Sequence, residues 1–406
     1  MMNEGSSGIL KRIDPQRIAD LTLELVRIPS PTGQELELAR YYASQLEAMG
    51  LEVRLEYVEA NRPNVIATLR GEGGGKNLIL AGHLDTIPQE KCAPPRRDPS
   101  RVYGRGACDM KGSLAAMLES LRALIYSKAR LRGDVILIGW VDHEAPAGKS
   151  LGAKATARSI REGRMKAAGA VITEGPLDSV GIAQGGMAIF TISAQSPKGS
   201  VHTATVPLLS NPIVWIAEAV REVCAFDEEL NSKPWNPLIA QRPSAQLGIL
   251  RGGDFYNRLP TECQLTGTVR WDPGEDMPQV EGRLRGRLGE LENHVRRCLN
   301  GDVTFKFQMS LVRESYEIPR DSEIVKSSQA AVREVTGEDV GVSGWRAVGD
   351  PPILNEAGVP TVFYGPLDFT NVTAHSDDEW VSIENLTVAS RVFAALALRY
   401  CGQKCN

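Results

Sequence analysis

The pattern of apolar and polar positions predicts an alternation of helices and strands in the first part of the chain. Helical periodicity falls near 14–28, 33–49 and 112–127, and strand-like runs fall near 51–58, 64–69, 76–82, 134–142 and 168–173. That alternation predicts an α/β sheet with helices on its faces. From about 186 the rhythm changes to a strand at 187–195, a helix around 211–226, strands at 244–251 and 262–271, a helix at 278–299 and a strand at 302–309. This β-α-β-β-α-β order is the ferredoxin-like pattern and predicts a separate small α+β domain. A helix near 322–336, a strand at 360–365 and a closing helix at 383–400 then resume the first style. The expected organisation is therefore an α/β domain built from 1–185 and 311–406, with the small domain, 186–310, inserted into it.

Composition narrows the picture without naming a function. A chain of 406 residues, 42% hydrophobic and 24% charged, is ordinary globular material with room for two domains. The net charge of −4 and scattered arginines offer no basic field for a polyanion, which argues against a nucleic-acid partner. The start, Met1 to Gly8, has no apolar signal-like core, and no stretch approaches the ~20 apolar residues of a membrane span. The expectation is a soluble cytoplasmic protein with no membrane partner. Seven cysteines, an odd number spread over a long chain, suggest reduced thiols rather than a disulfide scaffold. Cys401 and Cys405 form one pair with no second, a poor zinc signature.

Candidate chemistry begins where the run Leu78-Ile-Leu-Ala-Gly meets His83-Leu-Asp85. Side chains two apart on an extended segment point the same way, so His83 can bind a metal while Asp85 fixes its tautomer. A solvated loop histidine is the simpler alternative. Asp109, in Tyr103-Gly-Arg-Gly-Ala-Cys-Asp109-Met-Lys-Gly112, sits in a glycine-rich turn before a helix. It is either a helix cap or a carboxylate held to bridge two ions. The strand from Asp134 ends in Asp142-His143-Glu144, the strand from Ala170 ends in Glu174, and Thr373-Ala-His375-Ser-Asp-Asp-Glu379 follows Thr361–Pro366. Carboxyl ends of strands are where α/β sheets place ligands. Mixed imidazole and carboxylate donors suit zinc in hydrolases. Of the histidines 83, 143, 202, 294 and 375, four lie in these tracts or in Lys198-Gly-Ser-Val-His-Thr-Ala204.

Taken in order, His-x-Asp after a strand, Gly-Arg-Gly-x-x-Asp-x-Lys-Gly, the acidic strand ends, Gly-x-x-x-His-Thr-Ala, Gly-Gly-x-x-x-Asn-x-x-Pro and Ala-His-x-x-x-Glu form one ensemble. It resembles the family of dinuclear zinc amidohydrolases and metallopeptidases that includes aminoacylase, acetylornithine deacetylase, succinyl-diaminopimelate desuccinylase and glutamate carboxypeptidase. The match runs from about residue 15 to 400. The resemblance implies a zinc-exopeptidase-like catalytic α/β domain with an inserted ferredoxin-like lid that often dimerises. It also implies that His83 and Glu174 hold one metal, that Glu144 and His375 hold the other, that Asp109 bridges them, and that Asp85 orients His83. A metal-activated water would then attack an amide carbonyl. In the lid, His202 matches a histidine that donates to the carbonyl oxygen, and Asn257 and Arg270 match substrate-carboxylate and oxyanion contacts. Arg suits a carboxylate because its planar fork binds bidentately, although a surface Arg at a strand end is a plain alternative for Arg270. Arg346, in Ser343-Gly-Trp-Arg-Ala-Val-Gly-Asp350, lies where relatives keep a loop near the substrate.

One departure stands out. Most relatives carry two adjacent glutamates after the Asp, the first a general base and the second a ligand, whereas this chain has Asp142-His143-Glu144. His143 then occupies the base position, and an imidazole with an ordinary pKa of ~6.5 can take a proton from water at neutral pH. Competing outcomes are an extra ligand at His143, a base at Asp142, or loss of ordinary amidase activity. The expected function is amide hydrolysis of a small N-acyl amino acid or related carboxylate, by a homodimer carrying two divalent ions, zinc or else cobalt or manganese. Alternatives on the same residues are a carboxypeptidase or dipeptidase, C–N cleavage of an aromatic amine, and a non-catalytic metal-binding scaffold.

Overall fold

A computed structural model of the chain describes residues 4–144, 149–299, 303–345, 347–368 and 373–402. Two compact units divide it. The first contains Met1–Ile182, Ile318–Trp345 and Gly349–Asn406, and the second contains Ala183–Glu317 with a short return ending at Val348.

The sheet of the first unit runs in the order Glu52–Glu59, Arg62–Leu69, Val135–Trp140, Leu78–His83, Gly169–Ile172, Thr361–Phe363, Ser179–Gln184. Every residue of Leu78–His83, Val135–Trp140 and Gly169–Ile172 is buried. Strands covered on both faces need apolar residues at each position, which is why these tracts read as continuous runs rather than alternations. Leu78 stands opposite both Val135 and Gly169, and Thr361 stands opposite Ala170, all in parallel register. Four strands therefore end at one edge of the sheet, and that edge carries the candidate site. Helices Pro15–Arg27, Gly112–Tyr126 and Ile383–Tyr400 pack together on the sheet. The first starts where its sequence says it should, because Asp14 accepts from Gln16 N and Pro15 opens the first turn.

Among the elements of this unit that the apolar pattern does not announce are a helix and a strand. Helix Leu151–Arg161 buries Gly152, Ala153, Thr156, Ala157 and Ser159, small side chains that leave no apolar period to read. Strand Ser179–Gln184 follows directly on the Glu174 turn.

The second unit has the order strand Gly186–Gln195, helix Pro212–Asn231, strands Ser244–Gly252 and Glu262–Trp271, helix Met277–Leu299 and strand Thr304–Arg313. Its sheet is antiparallel, in the order Ser244–Gly252, Glu262–Trp271, Gly186–Gln195, Thr304–Arg313, which is the ferredoxin-like arrangement. Burial alternates along Glu262–Trp271, and Phe190, Ile192, Leu265 and Val269 meet Trp215, Phe226 and Leu284 of the helices in one core. Among the described residues no helix is long and apolar enough to cross a membrane.

Candidate metal centre

His83 closes its strand with its ring 2% exposed. Nδ1 bonds the main-chain carbonyl of Asp85 at 2.8 Å, which puts the ring proton there and turns Nε2 toward Asp109 Oδ1, 3.0 Å away. The tautomer is thus set by the Asp85 backbone rather than by its carboxylate, whose nearer oxygen is 3.8 Å from Nδ1. That carboxylate instead accepts from Thr32 Oγ1 at 2.9 Å, His143 N at 3.1 Å and Glu144 N at 2.9 Å. Asp85 therefore ties the end of the neighbouring strand to its own.

Asp109 does not cap the following helix, whose first flanking residue is Lys111 and has no side-chain cap bond. The turn before it needs Gly106 at φ +85, and Asp109 itself is extended at φ −125, ψ 92. Buried Glu379 accepts from Cys108 N and Asp109 N, both at 3.0 Å, and takes a 2.7 Å ion pair from Arg105. Lys111 is fully buried and donates to Leu25 O and Ile28 O, fastening the turn to the end of helix Pro15–Arg27. So fixed, Asp109 presents Oδ1 to His83 and Oδ2 to His375 Nε2 at 3.3 Å.

The segment after Trp140 supplies the next donors. Asp142, in a left-handed conformation at φ +72, is held by Arg62 at 2.7 Å, and Arg62 also pairs with Glu35 at 2.6 Å. This ion pair occupies Asp142 and takes it out of the running as a base. Glu144 Oε1 lies 3.1 Å from His375 Nε2. The His143 ring stacks on His83 with centroids 4.2 Å apart and planes 8° apart. Its Nδ1 is 3.0 Å from Asp350 Oδ2 and its Nε2 is 3.9 Å from Glu174 Oε2. The Glu174 turn is brought against the Phe363 strand end by Gly365, where a Cβ would meet Thr173 O at 2.2 Å.

The charges in this cluster are out of balance. Burial opposes ionisation of Asp109, yet the imidazoles of His375 and His83 hold its carboxyl well below the usual range. Burial, and then repulsion from Asp109, push Glu174 up to about 7, while hydrogen bonds to Asp109 and Glu144 raise His375 to about 10. Too much negative charge converges on His83 and His375 for these two imidazoles to stay neutral, and a divalent cation meets the same need. Two further observations fit an ion. Glu174 Oε2 is buried with no hydrogen-bond partner, and the donor atoms of His83, His143 and Glu174, and of His83, Asp109 and Glu144, lie within 4.8 Å of one another. Imidazole nitrogen with carboxylate oxygen is a donor set for zinc and its borderline neighbours.

The structure thus brings His83, Asp85, Asp109, His143, Glu144, Glu174 and His375 together. In the second unit, His202 Nδ1 accepts from Ala204 N at 3.1 Å and its Nε2 lies 3.2 Å from the Asn257 side-chain amide, both residues being exposed or half-buried. Arg270, half-buried on strand Glu262–Trp271, is lowered by burial. Arg346 lies outside the described residues. Sequence reasoning gave no role to Glu379, Lys111, Arg62 or Asp350. Glu379, Lys111 and Asp350 stood in the quoted tracts, whereas nothing local marked Arg62.

Donors gathered at the carboxyl edge of a parallel sheet, with an antiparallel α+β unit inserted in the chain, define a metal-dependent hydrolase. Residues 79–399 match the model of Peptidase family M20/M25/M40, and the chain belongs to that family. It is 25% identical over 426 residues to N-formyl-4-amino-5-aminomethyl-2-methylpyrimidine deformylase of Bacillus subtilis (strain 168), covering 94% of each chain. It is also 25% identical over 396 residues to succinyl-diaminopimelate desuccinylase of Alkalilimnicola ehrlichii, covering 94% of this chain and 99% of the relative. The fold is shared with the crystal structure of aminopeptidase PepT from Bacillus cereus, with a TM-score of 0.76 at 18% identity over 96% of this chain and 100% of that one.

Proposed function

We propose that this enzyme hydrolyses the amide C–N bond of a small N-acyl amino acid or related carboxylate, in the manner of a deacetylase or desuccinylase. Asp109 carries the reading, because its two oxygens face two different imidazoles, His83 and His375. A carboxylate so placed would serve two cations, one that His83 and Glu174 would hold and one that Glu144 and His375 would hold. Zinc suits these donors, and cobalt or manganese can take the same atoms. When bound, such ions polarise the amide carbonyl and acidify a water.

The chain's own groups then move the protons. Asp85 holds the main-chain amides of His143 and Glu144 in place. His143 takes a proton from the water at Nε2, so an O–H bond breaks and an N–H bond forms, and the same proton is later given to the leaving amine nitrogen. Acid–base assistance of this kind contributes roughly 10²–10⁴-fold. His202 donates to the carbonyl oxygen as charge develops on it, and Asn257, Arg270 and Arg346 hold the substrate's carboxylate and oxyanion. Residues 186–310 serve as a lid and dimerisation domain. A homodimer is supported by the outer strand Ser244–Gly252, which leaves Leu247, Ile249 and Leu250 exposed along an open sheet edge. A cytoplasmic setting is supported by free Cys92, Cys108, Cys224, Cys263 and Cys401.

The likeness to a pyrimidine deformylase favours a second reading, removal of a small acyl group from an amine borne by an aromatic ring. A panel of N-acetyl, N-succinyl and N-formyl amines and dipeptides, assayed with zinc or manganese, separates the readings. Turnover of acyl amino acids that a chelator abolishes and metal restores is the expected result. Cleavage of dipeptides alone would replace it with an exopeptidase, and no chelator-sensitive hydrolysis would sink it.

A further inference from the structure

Behind His143 stands a second carboxylate that the mechanism above leaves unused. Asp350 is 2% exposed, its Oδ2 lies 3.0 Å from His143 Nδ1, and its Oδ1 accepts from the hydroxyl of Ser150, itself buried, at 2.7 Å. The plain explanation for an Asp at this point is a helix cap, since Asp350 directly precedes helix Pro351–Glu356. Its side chain makes no cap bond there. The carboxylate faces the imidazole instead.

The backbone at His143 is fixed by other groups. Its amide and that of Glu144 bond Asp85, and Asp142 is tied to Arg62. What Asp350 controls is therefore the ring, not the chain. A carboxylate at Nδ1 keeps the proton on that nitrogen and leaves the lone pair on Nε2, the atom that faces Glu174 beside the stacked His83 ring. Ser150 in turn prevents the carboxylate from rotating away.

We infer that Asp350 is a positioning residue for His143, assisted by Ser150, which together hold the imidazole in the tautomer and orientation that make Nε2 a proton acceptor. The inference rests on the reading of His143 as base. After Nε2 takes the proton, the ring is an imidazolium whose Nδ1–H still points at Asp350, so the new charge forms against a carboxylate already in place and no proton need leave for Asp350.

The test uses the full chain labelled with ¹⁵N-histidine, in which only five residues report and His143→Ala identifies the signals sought. With zinc bound, His143 is expected to show a protonated Nδ1 and an unprotonated Nε2. In Asp350→Asn and Asp350→Ala this preference is lost and kcat falls about 10–100-fold, the usual cost of removing such an outer partner. KM should stay within about twofold and bound metal should be unchanged, because the group acts only on the reacting proton. Asp350→Glu should recover part of the rate. Should Asp350→Ala fail to fold, Ser150→Ala provides the same readouts with a smaller, severalfold loss. An unaltered nitrogen pattern together with unaltered kcat in Asp350→Asn and Ser150→Ala overturns the inference. Full turnover in His143→Ala, or loss of one metal equivalent from it, overturns the base reading instead, and the nitrogen pattern then still reports whether Asp350 holds the ring.

Discussion

The two sides of Asp109 are built from different material. On one side His83 ends a parallel strand and Glu174 lies two residues beyond another, both strands fully buried, and their side chains are only 2% and 10% exposed. On the other side His375 is 52% exposed, sits at φ +67 in a turn, and meets Glu144 just beyond a strand end. Donors at the ends of packed strands are aimed before any ion arrives, whereas donors carried by turns must be ordered by what they bind. The account therefore expects one firmly held ion and one more readily exchanged, with substrate meeting the exchangeable side.

The largest effect tests what the two sides share. Asp109→Asn should lower kcat/KM by about 10³-fold, because on the proposed ligand set both cations would lose the anion they would share. Metal analysis should find both sites weakened; a variant that binds two ions normally would break the comparison at its centre. The next pair separates the sides. His375→Ala should retain close to one metal equivalent and regain activity in excess zinc, while His83→Ala should lose the tightly held ion and show no such rescue. Equal losses in the two variants would remove the asymmetry.

Glu379→Gln should weaken metal binding by about 10–100-fold without replacing any donor, because it disturbs the amides that hold the Asp109 turn. Titration with a fluorescent zinc competitor gives the value. The smallest effect on turnover is expected at Arg62, which touches no proposed ligand. Arg62→Met leaves Glu35 and Asp142 as buried, unpaired carboxylates and should cost about 3–5 kcal/mol of stability, read from urea unfolding, with a change in kcat of a few-fold.

This asymmetry also explains what the sequence could tell. Buried strands such as Leu78–His83 and Val135–Trp140 announce themselves as apolar runs, and their ends point to His83, Asp142–Glu144 and Glu174 directly. The ferredoxin-like order is legible for the same reason, its strands alternating in burial. Helix Leu151–Arg161 was not legible because its buried face is made of small residues. Alternation puts Asp85 on the same side as His83, but it cannot say that its backbone, not its carboxylate, would take the ring nitrogen. Asp350 and Glu379 act on partners more than two hundred residues away, and only the closed sheet brings such pairs together.

The most direct test of the central claim is anomalous diffraction at the zinc edge from crystals of the metal-loaded protein. The account predicts two peaks per chain, one against His83 and Glu174 and one against Glu144 and His375, with an oxygen of Asp109 reaching each. A single peak, or peaks away from these side chains, would contradict it.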